Sequence, residues 1–255
     1  MFGYLHIHSK YSDGDYDLEK IKEVFSKMGA NFIFLADHEE RLDDKKFRDY
    51  LKECSRLSDN NFLIIPGLEI NVGKNHLLAL NAEQIHHENN LIEKIKKYKD
   101  DGCLIVWAHP HKNKFKIDEK LFELLDGIEV WNSLYDGKIV PRFSSLKVAS
   151  SLPDKKKLLC ALDFHRAAHS DGPKIFLKSK ILEKDAVIQE LKSGNYKIGK
   201  NTEMEMDKVE LNSLLTLISF LSITLIRIFR ISSKILSILN IKVPKKIKVF
   251  LRRKI

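Results

Sequence analysis

The sequence predicts an α/β fold with a largely parallel sheet, and three observations carry that expectation. Short apolar runs alternate with helical stretches from Met1 to about residue 200. The stretches between the runs are amphipathic with helical periodicity. His, Asp and Glu recur at the C-terminal ends of the apolar runs, which is the rim where parallel α/β folds build their sites.

In chain order, strands are expected at Tyr4–His8, Asn31–Asp37, Phe62–Glu69, His76–Leu80, Leu104–His109, Ile128–Trp131 and Leu158–Asp163. Helices are expected at Leu18–Met28, Asp44–Leu57, Leu91–Lys99, Glu119–Leu125 and Lys184–Lys192, the last stopped by Gly194. About seven strands in this length fit either a barrel or an open sheet, and spacing alone does not choose between them.

The chain has 255 residues and a formal charge of +9, and that charge is uneven. Residues 205–255 hold eleven Lys/Arg and three Asp/Glu, a balance of +8, which leaves +1 for residues 1–204. The expected organisation is therefore a near-neutral domain over 1–204 and a basic amphipathic helical tail over 205–255. A near-neutral domain without an aromatic and basic strip argues against a long nucleic-acid substrate. Cys54, Cys103 and Cys160 are far apart and lie in or beside apolar runs, so they read as buried reduced thiols of a cytoplasmic protein. No basic-then-apolar leader precedes the first strand.

The histidines carry the functional case. His6 and His8 form an HxH pair, and residues i and i+2 of a strand face the same side. Asp13 follows in a turn, Asp37-His38 ends the second strand and Glu69 ends the third; His76, His109 with His111, and Asp163 with His165 complete the series. Mixed imidazole and carboxylate donors suit Zn, Mn or Fe better than Ca or Mg alone. Taken singly, His76 or His165 would more often be a structural or surface histidine. As an ordered set at strand ends they point to a metal centre. The polar stretch around His86-His87 reads as a solvated loop, Asp15 and Asp17 as turn and helix-start residues, and Trp107 and Trp131 as packing.

His6-Ile-His8-Ser9 with Tyr11-Ser-Asp-Gly14, Leu35-Ala-Asp-His38, Pro66-Gly-Leu-Glu69, His76, Ala108-His-Pro110 and Asp163-Phe-His165 resemble the successive motifs of the PHP (polymerase and histidinol phosphatase) family. The resemblance runs from about residue 3 to 170. It implies a distorted seven-stranded β/α barrel with a trinuclear site on its C-terminal rim. The ligands it implies are His6, His8, Glu69 and Asp163 for one cation, Glu69, His76 and His109 for a second, and Asp13, His38 and His165 for a third. Asp37 would orient a ligand. Ala161-Leu162 departs from the small polar pair usual before the final Asp-x-His. Only 32 residues separate His76 from His109, which leaves no room for the lid domain of nucleotide-acting members.

The resemblance implies hydrolysis of a phosphate ester by water activated between two or three divalent cations, with Glu69 bridging them. His111 or His169 would protonate the leaving group, and Arg166 or Lys112 would steady the phosphate; the bland alternative for these four is a solvated rim. A small phosphorylated metabolite is the first expectation. A phosphodiester or nucleic acid, a phosphotyrosyl protein or an amide would use the same centre, and a non-catalytic metal-binding module is least favoured because all nine candidate ligands are present.

Leu211–Ile226 is sixteen residues without a charge, followed by Arg227, Arg230 and Lys234 among apolar residues and then by a basic terminus. The run is shorter than the roughly 20 residues a membrane span needs. Residues 209–255 therefore read as a helix on an anionic membrane surface, which would place the protein at the inner membrane face, or as a helix packed on the domain or on a second copy.

Overall fold

The computed structural model describes residues 1–114, 116–136, 140–151, 156–200 and 203–204, with tail positions 221, 224, 228, 231 and 232. The chain opens with β1 (Phe2–Ile7), α1 (Leu18–Lys27), β2 (Phe32–Leu35), β3 (Asp37–His38) and α2 (Asp44–Leu57). It continues through β4 (Leu63–Ile65), β5 (Gly67–Val72), β6 (Asn75–Leu80), α3 (Leu91–Asp100) and β7 (Leu104–Ala108). Then come α4 (Glu119–Leu124), β8 (Gly127–Asn132), α5 (Ser133–Asp136), α6 (Phe143–Ser151) and β9 (Lys157–Ala161). The last elements are β10 (Lys174–Leu177), α7 (Lys184–Ser193), β11 (Tyr196–Gly199) and β12 (Glu203–Met204).

The helices start where short polar side chains satisfy their first amides. Asp17, Asp43, Asn90 and Asp118 each accept from backbone N–H groups of the first turn of α1, α2, α3 and α4. Gly194, at φ 77°, ends α7 in the left-handed conformation that glycine adopts without penalty. β2, β7 and β8 are buried along their whole lengths, as expected of strands covered on both faces.

The strands form a mixed α/β architecture of two six-stranded sheets, ordered β12-β11-β10-β1-β2-β4 and β3-β5-β6-β7-β8-β9. The pairs β1·β2, β2·β4, β3·β5, β7·β8 and β8·β9 are parallel. The pairs β5·β6, β6·β7, β1·β10, β10·β11 and β11·β12 are antiparallel. The expectation of a largely parallel sheet is corrected accordingly. β5 and β6 are joined by a tight turn instead of a helix, and β10 to β12 are short strands of mixed polarity with little periodic signal.

Two expected strands are also broken, at Ala36 between β2 and β3 and at Pro66 between β4 and β5. Pro66 has no N–H to give a ladder, so the strand is interrupted there. Both continuations leave the first sheet and join the second. The sheets are further laced where β1 meets the segment after β9: Leu162 N donates to Leu5 O at 3.0 Å, Phe164 N to His6 O at 3.0 Å, and His8 N to Phe164 O at 2.9 Å.

The three cysteines are buried and free, and Trp107 and Trp131 are core residues, as read from the sequence. No helix among the described residues is long and apolar enough to cross a membrane. The tail over 205–255 lies outside the described residues apart from five helical positions, of which Leu221, Ile228, Ile231 and Ser232 are exposed.

Candidate metal centre

β1 does not present His6 and His8 as a regular strand would. His6 has φ 64°, and the pairing of β1 with β2 shifts register between Tyr4 and Ile7. The bulge still brings the two rings together, with centroids 5.1 Å apart. His109 at φ 30° and Asp163 at φ 55° are left-handed as well. Such conformations cost on the order of 1–3 kcal/mol each in non-glycine residues, and they gather at sites where function over-determines the backbone. Three of the nine candidate ligands carry this strain.

The other eight gather with Glu69. Its Oε2 lies 3.5 Å from His6 Nε2, 3.3 Å from His8 Nε2 and 3.6 Å from His38 Nε2. Its Oε1 lies 2.5 Å from His76 Nδ1 and 3.1 Å from His109 Nε2. Because β6 runs antiparallel to β5, His76 near the start of β6 reaches the same rim as residues at the ends of the parallel strands. Asp163 Oδ1 stands 3.7 Å from Nε2 of both His6 and His8. Asp13 Oδ2 stands 3.6 Å from His38 Nε2 and 3.4 Å from His165 Nε2, and its Oδ1 is 3.2 Å from His8 Nδ1.

Three groups of donor atoms lie within 4.8 Å of one another: His8, Asp13, His38 and His165; His6, Glu69 and His109; and His6, His8 and Asp163. Set beside the sets the resemblance implies, His8 also joins the Asp13 group, and Glu69 is absent from the group of His6, His8 and Asp163. His6 stands with Glu69 and His109 where His76 was expected, His76 being hydrogen-bonded to Glu69.

The donors fit divalent cations on a test independent of the motif. Among the described residues, His6 Nε2, both ring nitrogens of His8 and His38 Nδ1 are buried without a hydrogen-bond partner. Buried polar nitrogens are otherwise paired. Carboxylate oxygens stand 3.2–3.7 Å from His6 Nε2 and the His8 nitrogens without closing a hydrogen bond. Imidazole and carboxylate donors gathered within 4.8 Å of one another are what a Zn, Mn or Fe ion requires.

The electrostatics agree. Burial alone would depress His6, but the carboxylates of Glu129, Asp163 and Glu69 outweigh it and hold the imidazole well above its ordinary pKa. Burial would raise Glu69, but His6, His109 and His76 hold it well below the carboxylate range. Asp163 is likewise lowered against its burial by His6 and His8. His165 is depressed by burial and by the neighbouring His8. Carboxylates kept ionised in a buried site are ready to ligate cations.

Several supporting residues were missed or only half read in the sequence. Glu129, fully buried in β8, places Oε1 2.7 Å from His6 Nδ1, while its Oε2 accepts from His109 N at 2.8 Å and Asn132 Nδ2 at 2.9 Å. A carboxylate behind a ligating imidazole fixes its tautomer and raises its basicity. Only the presence of a charge inside the apolar run Gly127–Asn132 hinted at it. Asp37 accepts from Ser9 N and Ser9 Oγ, each at 2.8 Å, and from Ser12 Oγ at 2.5 Å. It thus shapes the loop that carries Asp13 and contacts no candidate ligand through these bonds. Gly14 is required there, since a Cβ would meet His8 O at 2.3 Å.

The other expected residues sit on the rim, outside the three groups. His111 Nδ1 is 3.1 Å from Asp136 Oδ1. His169 Nδ1 accepts from His165 N at 3.3 Å, Arg166 is exposed, and Lys112 Nζ stands 5.3 Å from the Tyr135 ring centroid. The Ala161-Leu162 departure is accommodated: Leu162 packs where Gly172 has no side chain, since a Cβ on Gly172 would meet Leu162 Cδ2 at 2.5 Å. His86 corrects the expectation of a solvated loop, being buried with Nε2 2.7 Å from Asp101 Oδ2.

A protein of Methanocaldococcus jannaschii named uncharacterized protein MJ1587 is 28% identical over 165 residues, covering 59% of this chain and 93% of that protein. Among solved structures, the chain is similar to a two-domain protein of Bacteroides vulgatus containing a "predicted PHP-like metal-dependent phosphoesterase". That similarity has a TM-score of 0.61 at 17% identity and covers 78% of this chain; the chain spans 64% of the length of that protein. The PHP domain matches residues 4–171, which include every one of the nine candidate ligands, and the chain therefore belongs to the PHP domain family.

Proposed function

We propose that this protein is a metal-dependent phosphoesterase that cleaves a small phosphorylated metabolite. The observation that carries the reading is the gathering of eight imidazoles and carboxylates with Glu69, with buried ring nitrogens that no described residue satisfies. His6, His8, Glu69 and Asp163, then Glu69, His76 and His109, then Asp13, His38 and His165 would hold two or three cations of the Zn, Mn or Fe type. Those cations supply the positive charge that neutralises phosphoryl oxygens and acidifies the attacking water.

The chain's own residues do the positioning. Glu129 holds the tautomer of His6 with Nε2 toward Glu69 and Asp163. Asp37 fixes the loop of Asp13. His111 or His169 on the rim would give a proton to the leaving oxygen, with Arg166 or Lys112 as a cationic neighbour of the phosphate. The backbone links between β1 and the segment after β9 support a distorted seven-stranded barrel over residues 1–204. The apolar Leu221, Ile228 and Ile231, exposed at helical spacing, support a basic tail over 209–255 that binds an anionic membrane surface.

Elemental analysis of the purified protein, with p-nitrophenyl phosphate and bis-p-nitrophenyl phosphate assays in added Mn or Zn, tests the chemistry. Two to three metal equivalents with preferred monoester turnover is the expected result. Preferred diester turnover would move the substrate class, and neither metal nor turnover would sink the hydrolase reading. For the tail, deletion of 206–255 should abolish binding to anionic vesicles and leave turnover intact; equal binding with and without it would reject the membrane role.

A further inference from the structure

The nine candidate ligands are poorly suited to hold the substrate itself. Their carboxylates only accept hydrogen bonds, and their imidazole nitrogens are turned toward those carboxylates. A phosphoryl group has oxygens that need donors. Oxygens that the cations leave free call for a donor on the rim, and beside Arg166 and Lys112 the helix α5 supplies a side chain there that the motifs do not contain.

Tyr135 sits in that short helix directly after β8. Its ring lies 5.0 Å from the His109 ring and 5.6 Å from the His111 ring, with Lys112 Nζ 5.3 Å from its centroid. The backbone around it is pinned at every step. Asp136 Oδ2 accepts from Asn132 N, Asn132 Oδ1 from Leu134 N, and Tyr135 O from Arg142 Nη2, all between 2.8 and 3.1 Å. Ser133 Oγ donates to Leu162 O at 2.7 Å, tying the helix to the strand end that carries Asp163. The half-buried phenol hydroxyl makes no hydrogen bond to any described residue, so a rigidly held donor remains available beside His109.

We infer that the Tyr135 hydroxyl donates a hydrogen bond to a non-bridging oxygen of the substrate's phosphoryl group, acting as a substrate-binding residue of this centre. The role asks only that the phenol stay neutral, as a phenol ordinarily is near neutral pH. The inference rests on the phosphoesterase reading.

Tyr135→Phe keeps the ring packing and removes only the donor. With the metal-loaded full chain, metal content should be unchanged, while inorganic phosphate measured by calorimetry should bind about five- to tenfold more weakly. kcat/KM for p-nitrophenyl phosphate should fall by at least the same factor. A tyrosine ultraviolet difference signal on adding phosphate should appear in the wild type and vanish in the variant, a readout that a purely structural ring would not give. A fully metallated Phe variant that binds phosphate as tightly as the wild type would overturn the inference alone. A wild type that neither binds phosphate nor turns over the ester would remove the phosphoesterase reading and this inference together. If Tyr135→Phe lost metal, the wild-type difference signal decides, and its absence rejects the contact.

Discussion

Two clusters of histidine and acid stand close together in this molecule, and they are built in opposite ways. In the first, Glu69 faces five imidazoles, four ring nitrogens of His6, His8 and His38 have no hydrogen-bond partner among the described residues, and three of the residues involved are held at positive φ. In the second, which begins at the residue after His38, the polar groups close on each other. Tyr98 donates to Glu39 Oε1 at 2.6 Å, and Lys94 donates to Glu39 Oε2 at 2.7 Å. His86 N donates to the Tyr98 hydroxyl at 3.2 Å, and Asp101 takes Gln84 and His86 Nε2, each at 2.7 Å. None of these six residues has positive φ. A fully satisfied polar network rigidifies its surroundings, whereas unmet buried nitrogens are destabilising unless something else is meant to meet them. Residue type does not separate a structural cluster from a functional one; satisfaction of the donors and acceptors does.

Removing a member of the first cluster should strike function and spare the fold. His8→Ala or Glu69→Ala is expected to bring turnover to background and to empty the centre by elemental analysis, with a circular-dichroism spectrum like the wild type. Either variant retaining full metal and turnover would erase the contrast. Glu129→Gln is the finer cut, because it leaves every candidate ligand in place. The neutral amide no longer fixes the His6 tautomer or raises its basicity as a ligand, so metal affinity or activity should fall about ten- to hundredfold. A metal titration showing wild-type affinity would mean that Glu129 is only a packing residue.

The second cluster should respond the other way. Tyr98→Phe leaves Glu39 with Lys94 alone and takes the acceptor from His86 N. The expected loss is about 1–3 kcal/mol of stability with metal content and kcat unchanged. A Tyr98→Phe protein as stable as the wild type but poorer in metal would show that this network serves the centre through the turn after His38.

The contrast also explains what the sequence disclosed. The nine candidate ligands were legible because they fall in ordered local motifs, each at or near a strand end. The fold class was legible from alternation, but the sheet order was not. Strands such as Lys174–Leu177 and Tyr196–Gly199 are four residues long and take their place from pairing with β1, not from their own pattern. Glu129 escaped because its partner His6 is 123 residues away, and nothing local marks a buried carboxylate as support for an imidazole. His86 was misread for the same reason. Its setting is polar in sequence, and its burial is created by Tyr98 and Asp101 on the facing helix and its end. The bulge at His6 is likewise invisible in an HxH pattern, since both a regular strand and a bulged one bring the two rings near each other.

Asp136 sits between the two kinds of cluster and gives the smallest test. It is hydrogen-bonded throughout, to Asn132 N and to Arg142 Nε, and it faces His111 at 3.1 Å. Burial nevertheless dominates and pushes its carboxyl up to about 6. The folded protein therefore binds this proton more tightly than the unfolded chain does. The resulting stability is fully present below the unfolded carboxyl's ordinary pKa and is lost as pH rises through about 6. Asn at this position cannot titrate, so the comparison isolates the one group from the opposing acids of the centre. The stability of the wild type relative to Asp136→Asn should decline by about 1–2 kcal/mol between pH 5 and pH 7.5, read from denaturant midpoints. A difference that stays flat over that window would mean that Arg142 keeps the carboxylate ionised, and Asp136 would then belong with the satisfied cluster around Glu39.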